Sequence, residues 1–160
     1  MPEHESFSGI PGILRPFRSY IERAALMKGD QVVYYGVPGT CTPFVELLAF
    51  AIRALPVEQL FVPGIDEAKA RRLISVPDIG MQIEKEVTDL LPRIIVLMGG
   101  LSMPNSGVTA AQTYATTSPH NARMVGVCFM QMFEKTGWLK TFNFDLLIDA
   151  TVSPVEVRRA

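Results

Sequence analysis

Five short apolar runs recur along the chain, and they limit the folds that it can adopt. Each is four to six residues long and rich in β-branched or aromatic side chains, and none alternates between polar and apolar positions. Strands that are apolar throughout are buried on both faces, which is typical of a parallel sheet covered by helices. The runs are Gln31–Tyr35, Gln59–Val62, Arg93–Met98, Arg123–Cys128 and Asp145–Asp149.

Helical patterns lie between these runs. The clearest is Pro43–Leu55, in which apolar residues recur at helical spacing. We predict Thr42 as its N-cap and Pro56 as its stop. The segment Ile74–Ile83 is either a loop or an additional short strand. Further helices are predicted over Phe17–Met27, Asp66–Leu73, Glu84–Leu91, Thr109 (as a capping-box residue) to about Thr116, and Met130–Thr136.

This alternation predicts a single α/β domain of 160 residues with an ordered core over about 10–156. The expected architecture is one doubly wound, mostly parallel, five-stranded sheet with helices on both faces, either Rossmann-like or flavodoxin-like. The corresponding strand orders, 3-2-1-4-5 and 2-1-3-4-5, both remain open.

Composition excludes several classes of partner. The chain has 15 basic and 16 acidic residues, so it lacks the positive field that holds a nucleic acid backbone. Its apolar runs are too short to span a membrane, and its first residues are acidic where a signal peptide is basic. We therefore expect a cytoplasmic protein. The low charged fraction, 19%, also suggests surface buried in a homo-oligomer, with a dimer as the expected form.

Ligands of open parallel sheets bind beyond the carboxyl ends of the strands, and two glycine-rich segments are predicted there. Gly36–Thr42 joins a strand to a helix, where free N–H groups attract anions. Gly99–Gly107 follows the most apolar strand and has the length of a binding loop. The alternative is that both are ordinary turns. The candidate ligand-binding residues are Gly36, Gly39, Thr40, Thr42, Gly99, Gly100 and Ser102.

Known nucleotide motifs are absent from these segments. Gly36–Thr42 has neither the lysine of a phosphate-binding loop nor the GxGxxG spacing. The second strand ends in Val62-Pro63-Gly64, without the acid that would hold a ribose. Nearby methionines at 98, 103, 130 and 132 suggest an adaptable apolar wall or ordinary core filling.

Three residues are candidates for catalysis. Cys41 precedes a helix, where the helix N-terminus favours a thiolate. Cys128 ends the fourth predicted strand and lies near Cys41 in the 3-2-1-4-5 order, but further away in the other order. Asp149 ends the last strand as a candidate acid or base, or as a turn former. His120 is interpreted as a solvated loop residue, so no metal site or catalytic triad is predicted.

Four stretches of sequence resemble a family of small α/β proteins found mainly in methanogenic archaea and known only as a domain of unknown function. They are VVYYGVPGTCTPFVELLAFAIR, PRIIVLMGGLSMPNSGVT, GVCFMQMFEKTGW and FDLLIDATVSPVEV, and together they cover about Gly29–Val157. The resemblance implies a compact single domain in an anaerobic archaeal cytosol. It implies no activity, cofactor or catalytic residue.

Three functions remain open at this point. The first is a binding protein for a small anionic or nucleotide-like ligand at the carboxyl edge of the sheet. The second is a cysteine-dependent enzyme or redox protein using Cys41, with Cys128 as a partner. The third is a non-enzymatic oligomeric interaction or regulatory protein. The fold class accommodates all three, and no cofactor can be named.

Overall fold

A single mostly parallel sheet organises the chain in the structure, a computed structural model that describes residues 3–84 and 89–160. Within these residues the sheet has seven strands in the order β4-β3-β2-β1-β5-β6-β7. The strands are β1 (Gln31–Gly36), β2 (Glu58–Pro63), β3 (Arg71–Val76), β4 (Gly80–Ile83), β5 (Pro92–Met98), β6 (Arg123–Phe129) and β7 (Leu146–Ala150).

All five predicted strands are present and run parallel to one another. Counted among themselves they have the order 2-1-3-4-5, one of the two that the sequence left open. The prediction of a five-stranded sheet is wrong, because β3 and β4 form a hairpin that adds antiparallel to β2. The predicted helix Asp66–Leu73 is also wrong: only Glu67–Lys69 form a 3-10 turn before β3 begins.

Four α-helices are described: α1 (Gly9–Arg23), α2 (Thr42–Ala51), α3 (Ala110–Thr117) and α4 (Met132–Lys135). The capping box predicted at Thr109 is confirmed. Cys41, rather than Thr42, is the N-cap of α2. Half of the helix predicted over Glu84–Leu91, residues 85–88, lies outside the described residues, and the described half is not helical.

The helix predicted over Met130–Thr136 is shorter in the structure, beginning only at Met132. Met130 and Gln131 both have positive φ, at 55° and 60°, so they turn the chain between β6 and α4. Two consecutive non-glycine residues in this region are uncommon, and such backbone strain is found most often at functional sites.

Helices cover both faces of the sheet, as predicted. On one face, Phe17 of α1 and Leu48 of α2 pack against Tyr34 of β1. On the other face, Phe133 of α4 and Trp138 pack in a cluster that includes alternate residues of the central strands. Among the described residues, no helix has the length and apolar character needed to cross a membrane.

Candidate functional site

An apolar pocket of about 280 Å³ opens at the carboxyl edge of the sheet. Its walls come from segments that follow β1, β5, β6 and β7. β1 and β5 are neighbours where the strand order reverses, so the pocket lies at the position where open α/β sheets bind ligands. The lining residues are Thr40, Cys41, Phe44, Met98, Gly99, Gly100, Met103, Phe129, Met132 and Val152.

The lining is dominated by thioether and aromatic groups. Three of the four methionines named from the sequence, Met98, Met103 and Met132, contribute to it. The rings of Phe44 and Phe129 meet with centroids 4.4 Å apart, which joins the start of α2 to the end of β6. Neither phenylalanine was predicted as a site residue, since each reads in the sequence as ordinary core.

Cys41 packs closely against two of the glycines that were predicted to bind a ligand, Gly36 and Gly100. A Cβ added to Gly36 would lie 2.8 Å from the Cys41 Cβ and 3.2 Å from the Met98 Cγ. A Cβ added to Gly100 would overlap the Cys41 Sγ. Gly36 and Gly100 are therefore required for close packing around the cysteine, whatever the pocket binds.

Burial raises the pKa of the Cys41 thiol, although interactions with the backbone of Val37 and Gly100 act in the opposite direction. The side chain is 4% exposed. The sequence suggested that the start of α2 favours a thiolate at this position. In the structure, desolvation outweighs these backbone interactions, so the site of Cys41 disfavours a thiolate.

Cys128 and Asp149 are neighbours on adjacent strands, paired in the register of β6 and β7. Cys128 belongs to the buried cluster on the opposite face of the sheet from the one that contains Cys41. Burial raises the pKa of the Cys128 thiol to about 11, and the Asp149 carboxylate adds to the shift. Both cysteines are free thiols. The three candidate catalytic residues are thus not gathered in one cleft.

Asp149 has a structural role in the strained turn after β6. Its Oδ1 accepts a hydrogen bond of 3.0 Å from the backbone N–H of Gln131. The backbone N–H of Met130 donates to the carbonyl of Ala150. These two bonds fix the positive-φ turn to the end of β7, which agrees with the turn-forming alternative for Asp149.

Four of the other predicted ligand residues form hydrogen bonds with one another. The Gly39 N–H donates to the Thr42 hydroxyl at 3.1 Å. The Ser102 hydroxyl is buried and donates to the carbonyl of Gly99 at 2.8 Å. Gly99–Gly107 is therefore not an open loop but contains two 3-10 turns, Gly99–Ser102 and Pro104–Ser106. Of the seven predicted binding residues, the pocket lining contains Thr40, Gly99 and Gly100.

Away from the apolar pocket, hydrogen bonds join Tyr35, Glu67 and His120 in a polar cluster. The Tyr35 hydroxyl donates to Glu67 Oε1 at 2.6 Å, and His120 Nε2 lies 2.7 Å from the same oxygen. The His120 side chain is only 19% exposed, so its interpretation as a solvated loop residue is wrong. No local pattern indicates this cluster, because 53 residues separate His120 from Glu67. Burial, with the hydrogen bond to Glu67, raises the pKa of Tyr35.

Replacing Glu67 by alanine is expected to lower the free energy of unfolding by about 2 kcal/mol, because the buried Tyr35 hydroxyl loses its acceptor. Glu67→Gln keeps an acceptor oxygen and should cost less than half as much. Urea unfolding of both variants measures the difference. Equal losses for alanine and glutamine would contradict a role for the hydrogen bond.

The described residues contain no group of three or more His, Cys, Asp or Glu side chains placed to hold a metal ion.

Comparison with known proteins identifies relatives along the whole chain. An uncharacterized protein of Methanothermobacter thermautotrophicus is 32% identical over 99% of both chains. An uncharacterized protein of Methanocaldococcus jannaschii is 36% identical over 91% of this chain and 87% of its own. A crystal structure of a protein of unknown function from M. thermautotrophicus superposes with a TM-score of 0.86 at 30% identity, covering 99% of each chain.

The family model described as an uncharacterized protein conserved in archaea, DUF2124, matches residues 8–153. This match confirms the resemblance to an archaeal family of unknown function that the sequence suggested. Because the match covers most of the chain, the chain belongs to the archaeal family DUF2124.

Proposed function

We propose that the protein binds a small molecule whose apolar part occupies the pocket at the carboxyl edge of the sheet. The observation that carries the proposal is the position of the pocket, which lies between β1 and β5 at the reversal of strand order. The order 2-1-3-4-5 also supports placing the domain among the doubly wound, flavodoxin-like sheets.

The chemistry of the walls defines the class of ligand. None of the ten lining residues is charged, and Met98, Met103 and Met132 offer polarizable thioethers that adapt to an apolar or aromatic surface. Gly99 and Gly100 contribute no side chain to the wall, so the ligand can approach the backbone there. A volume of about 280 Å³ suits a ligand of one or two rings.

The anionic ligand suggested by the sequence fits this pocket less well. An anion here would depend on backbone N–H groups near Thr40, since the lining supplies no cationic side chain. We therefore favour a ligand whose buried part is uncharged. A cysteine-dependent reaction is not favoured, because burial raises the pKa of both thiols.

Titration with the neutral two-ring dye prodan tests the proposal, since its fluorescence shifts to the blue in an apolar site. Val152→Asp should weaken the affinity for the dye by at least about tenfold, which corresponds to about 1.4 kcal/mol of binding free energy, because it places a carboxylate at the pocket rim. Val152 is exposed, so the substitution should leave folding intact.

Val157→Asp is the matched control. Val157 is an exposed valine of the same C-terminal segment and is not part of the pocket lining. Its variant should bind the dye like the unmodified protein. Absence of dye binding by the unmodified protein, or equal weakening by the two substitutions, would refute the proposal.

A further inference from the structure

A second cavity of about 370 Å³ lies at the opposite, amino edge of the parallel strands. One side is formed by the connection before β1 and by the start of β2. The other side is formed by the β3–β4 hairpin, and the segment after α2 closes the end. The lining residues are Lys28, Gly29, Arg53, Pro56, Val57, Glu58, Gln59, Arg72, Leu73, Ser75 and Met81.

Positive charge is concentrated around this cavity. Lys28, Arg53 and Arg72 line it, whereas Glu58 is its one acidic residue. The formal charge of the lining is therefore +2, three cations less one carboxylate, in a chain whose net charge is −1. A cleft with an excess of one sign of charge and low-dielectric walls focuses the electrostatic potential and attracts ions of the opposite sign.

Two of the cations are held in place by neighbouring groups. The Arg53 guanidinium lies 3.7 Å from the centre of the Phe50 ring and donates from Nη1 to the Phe50 carbonyl at 2.8 Å. Arg72 Nη2 lies 3.3 Å from Glu58 Oε1. Ordered guanidinium groups lose little conformational freedom when they bind an oxyanion.

The base of the cavity is fixed by backbone hydrogen bonds. The N–H of Gly29, next to Lys28, donates to the carbonyl of Pro56 at 2.9 Å, and the N–H of Glu58 donates to the carbonyl of Asp30 at 2.9 Å. These bonds tie the segment that carries Lys28 to the start of β2. The position of the lysine backbone relative to Glu58 is thus set by the fold.

We propose that this cavity binds a small molecule carrying a phosphate group. A dianionic phosphate matches the formal charge of the lining, and guanidinium groups recognise phosphate through paired N–H donors. The Ser75 hydroxyl adds a neutral donor, while Val57, Leu73 and Met81 form an apolar wall for the organic part. The site is separate from the apolar pocket, and neither proposal depends on the other.

Isothermal titration calorimetry with phenyl phosphate tests the proposal, because this probe combines a phosphate with a small apolar ring. Lys28→Gln should raise the Kd at least about tenfold, and Lys28→Glu should raise it further, since each removes attraction to the dianion. Lys28 is exposed, so neither variant should fail to fold. Benzoate, with one charge fewer, should bind at least about tenfold more weakly than phenyl phosphate.

Arg18→Gln provides the matched protein control, since Arg18 is an exposed cation of α1 that pairs with Glu22 and is not part of the cavity lining. It should leave the Kd of phenyl phosphate unchanged. The proposal is overturned if millimolar phenyl phosphate gives no binding heat. It is also overturned if Arg18→Gln weakens binding as much as Lys28→Gln, or if benzoate binds equally well.

Discussion

Gly99→Ala is expected to lower the free energy of unfolding by about 3 kcal/mol, because the added methyl group meets the backbone of a neighbouring strand. A Cβ at this position would lie 2.5 Å from the Cys128 Cβ and 2.9 Å from its Cα. Real Cβ atoms do not approach so closely, so β5 and β6 must separate locally. Urea unfolding monitored by circular dichroism measures the loss.

The adjacent Gly100→Ala should lower the free energy of unfolding by a similar amount, but a second substitution should relieve the clash that causes the loss. The atom in its way is the Cys41 Sγ, the end of a side chain, and the next atoms are 3.8 Å away, at ordinary contact distance. Removing the sulfur in Gly100→Ala/Cys41→Ala should therefore restore most of the stability. The added methyl then occupies space that the sulfur leaves.

The same rescue should fail at Gly99. Cys128→Ala removes the sulfur of Cys128 but keeps the Cβ and Cα that obstruct the new methyl group. Gly99→Ala/Cys128→Ala should consequently remain at least as unstable as Gly99→Ala. Recovery of both double variants, or of neither, would show that these contacts do not determine the losses.

Gln59→Leu is expected to cost about 3 kcal/mol, because it breaks two buried hydrogen bonds at the junction of β1, β2 and α2. The Tyr34 hydroxyl donates to Gln59 Oε1 at 2.6 Å, and Gln59 Nε2 donates to the Ala49 carbonyl at 3.0 Å. Tyr34 is fully buried and Gln59 is 4% exposed. Leucine has a similar size but leaves the tyrosine hydroxyl without an acceptor.

Tyr34→Phe supplies the partner variant of a double-mutant cycle. It should cost about 2 kcal/mol by itself, since the Gln59 Oε1 is then left unpaired. The double variant Tyr34→Phe/Gln59→Leu should be no less stable than Gln59→Leu, because no hydroxyl remains to be satisfied. Strictly additive losses would contradict a coupled buried pair.

The pH dependence of unfolding gives an independent view of Tyr34. Burial raises the pKa of its hydroxyl well above 10.0. The unfolded chain then loses this proton at a lower pH than the folded chain. The hydroxyl therefore favours the folded state less and less as pH rises above 10. Above pH 10, the free energy of unfolding of Tyr34→Phe should therefore fall less steeply with pH than that of the unmodified protein.

The parallel strands were predictable because a strand that is buried on both faces is apolar throughout, and this pattern is visible in the local sequence. The sequence left Ile74–Ile83 open between a loop and an additional short strand, and it placed Arg71–Leu73 at the end of a helix. Arg71 and Arg72 are only partly covered and Ser75 is exposed in the β3–β4 hairpin, so no apolar run marks it. Acidic Asp66 before basic Arg71 imitates the charge pattern of a short helix, and tertiary pairing with β2 overrides it.

The position of the apolar pocket was predictable, but its composition was only partly so. The rule for carboxyl edges selects segments of chain, and it correctly placed Thr40, Gly99 and Gly100 beside a cavity. It could not show that Gly36 and Gly100 serve to accommodate Cys41. The contact between Glu67 and His120 and the cations at the amino edge depend on strand order, which the local sequence patterns left open.

As sequences of this family diverge, positions 36, 41 and 100 should not vary independently. A relative with a side chain at the position of Gly100 needs a smaller residue than cysteine at the position of Cys41, because the two would otherwise overlap. A lone change at Gly100 is selected against unless the change at 41 precedes it. Loss of the sulfur does not make room at Gly36, because a new Cβ there meets the Cys41 Cβ. The order of substitutions at positions 41 and 100 is thereby restricted, with loss of the sulfur coming first.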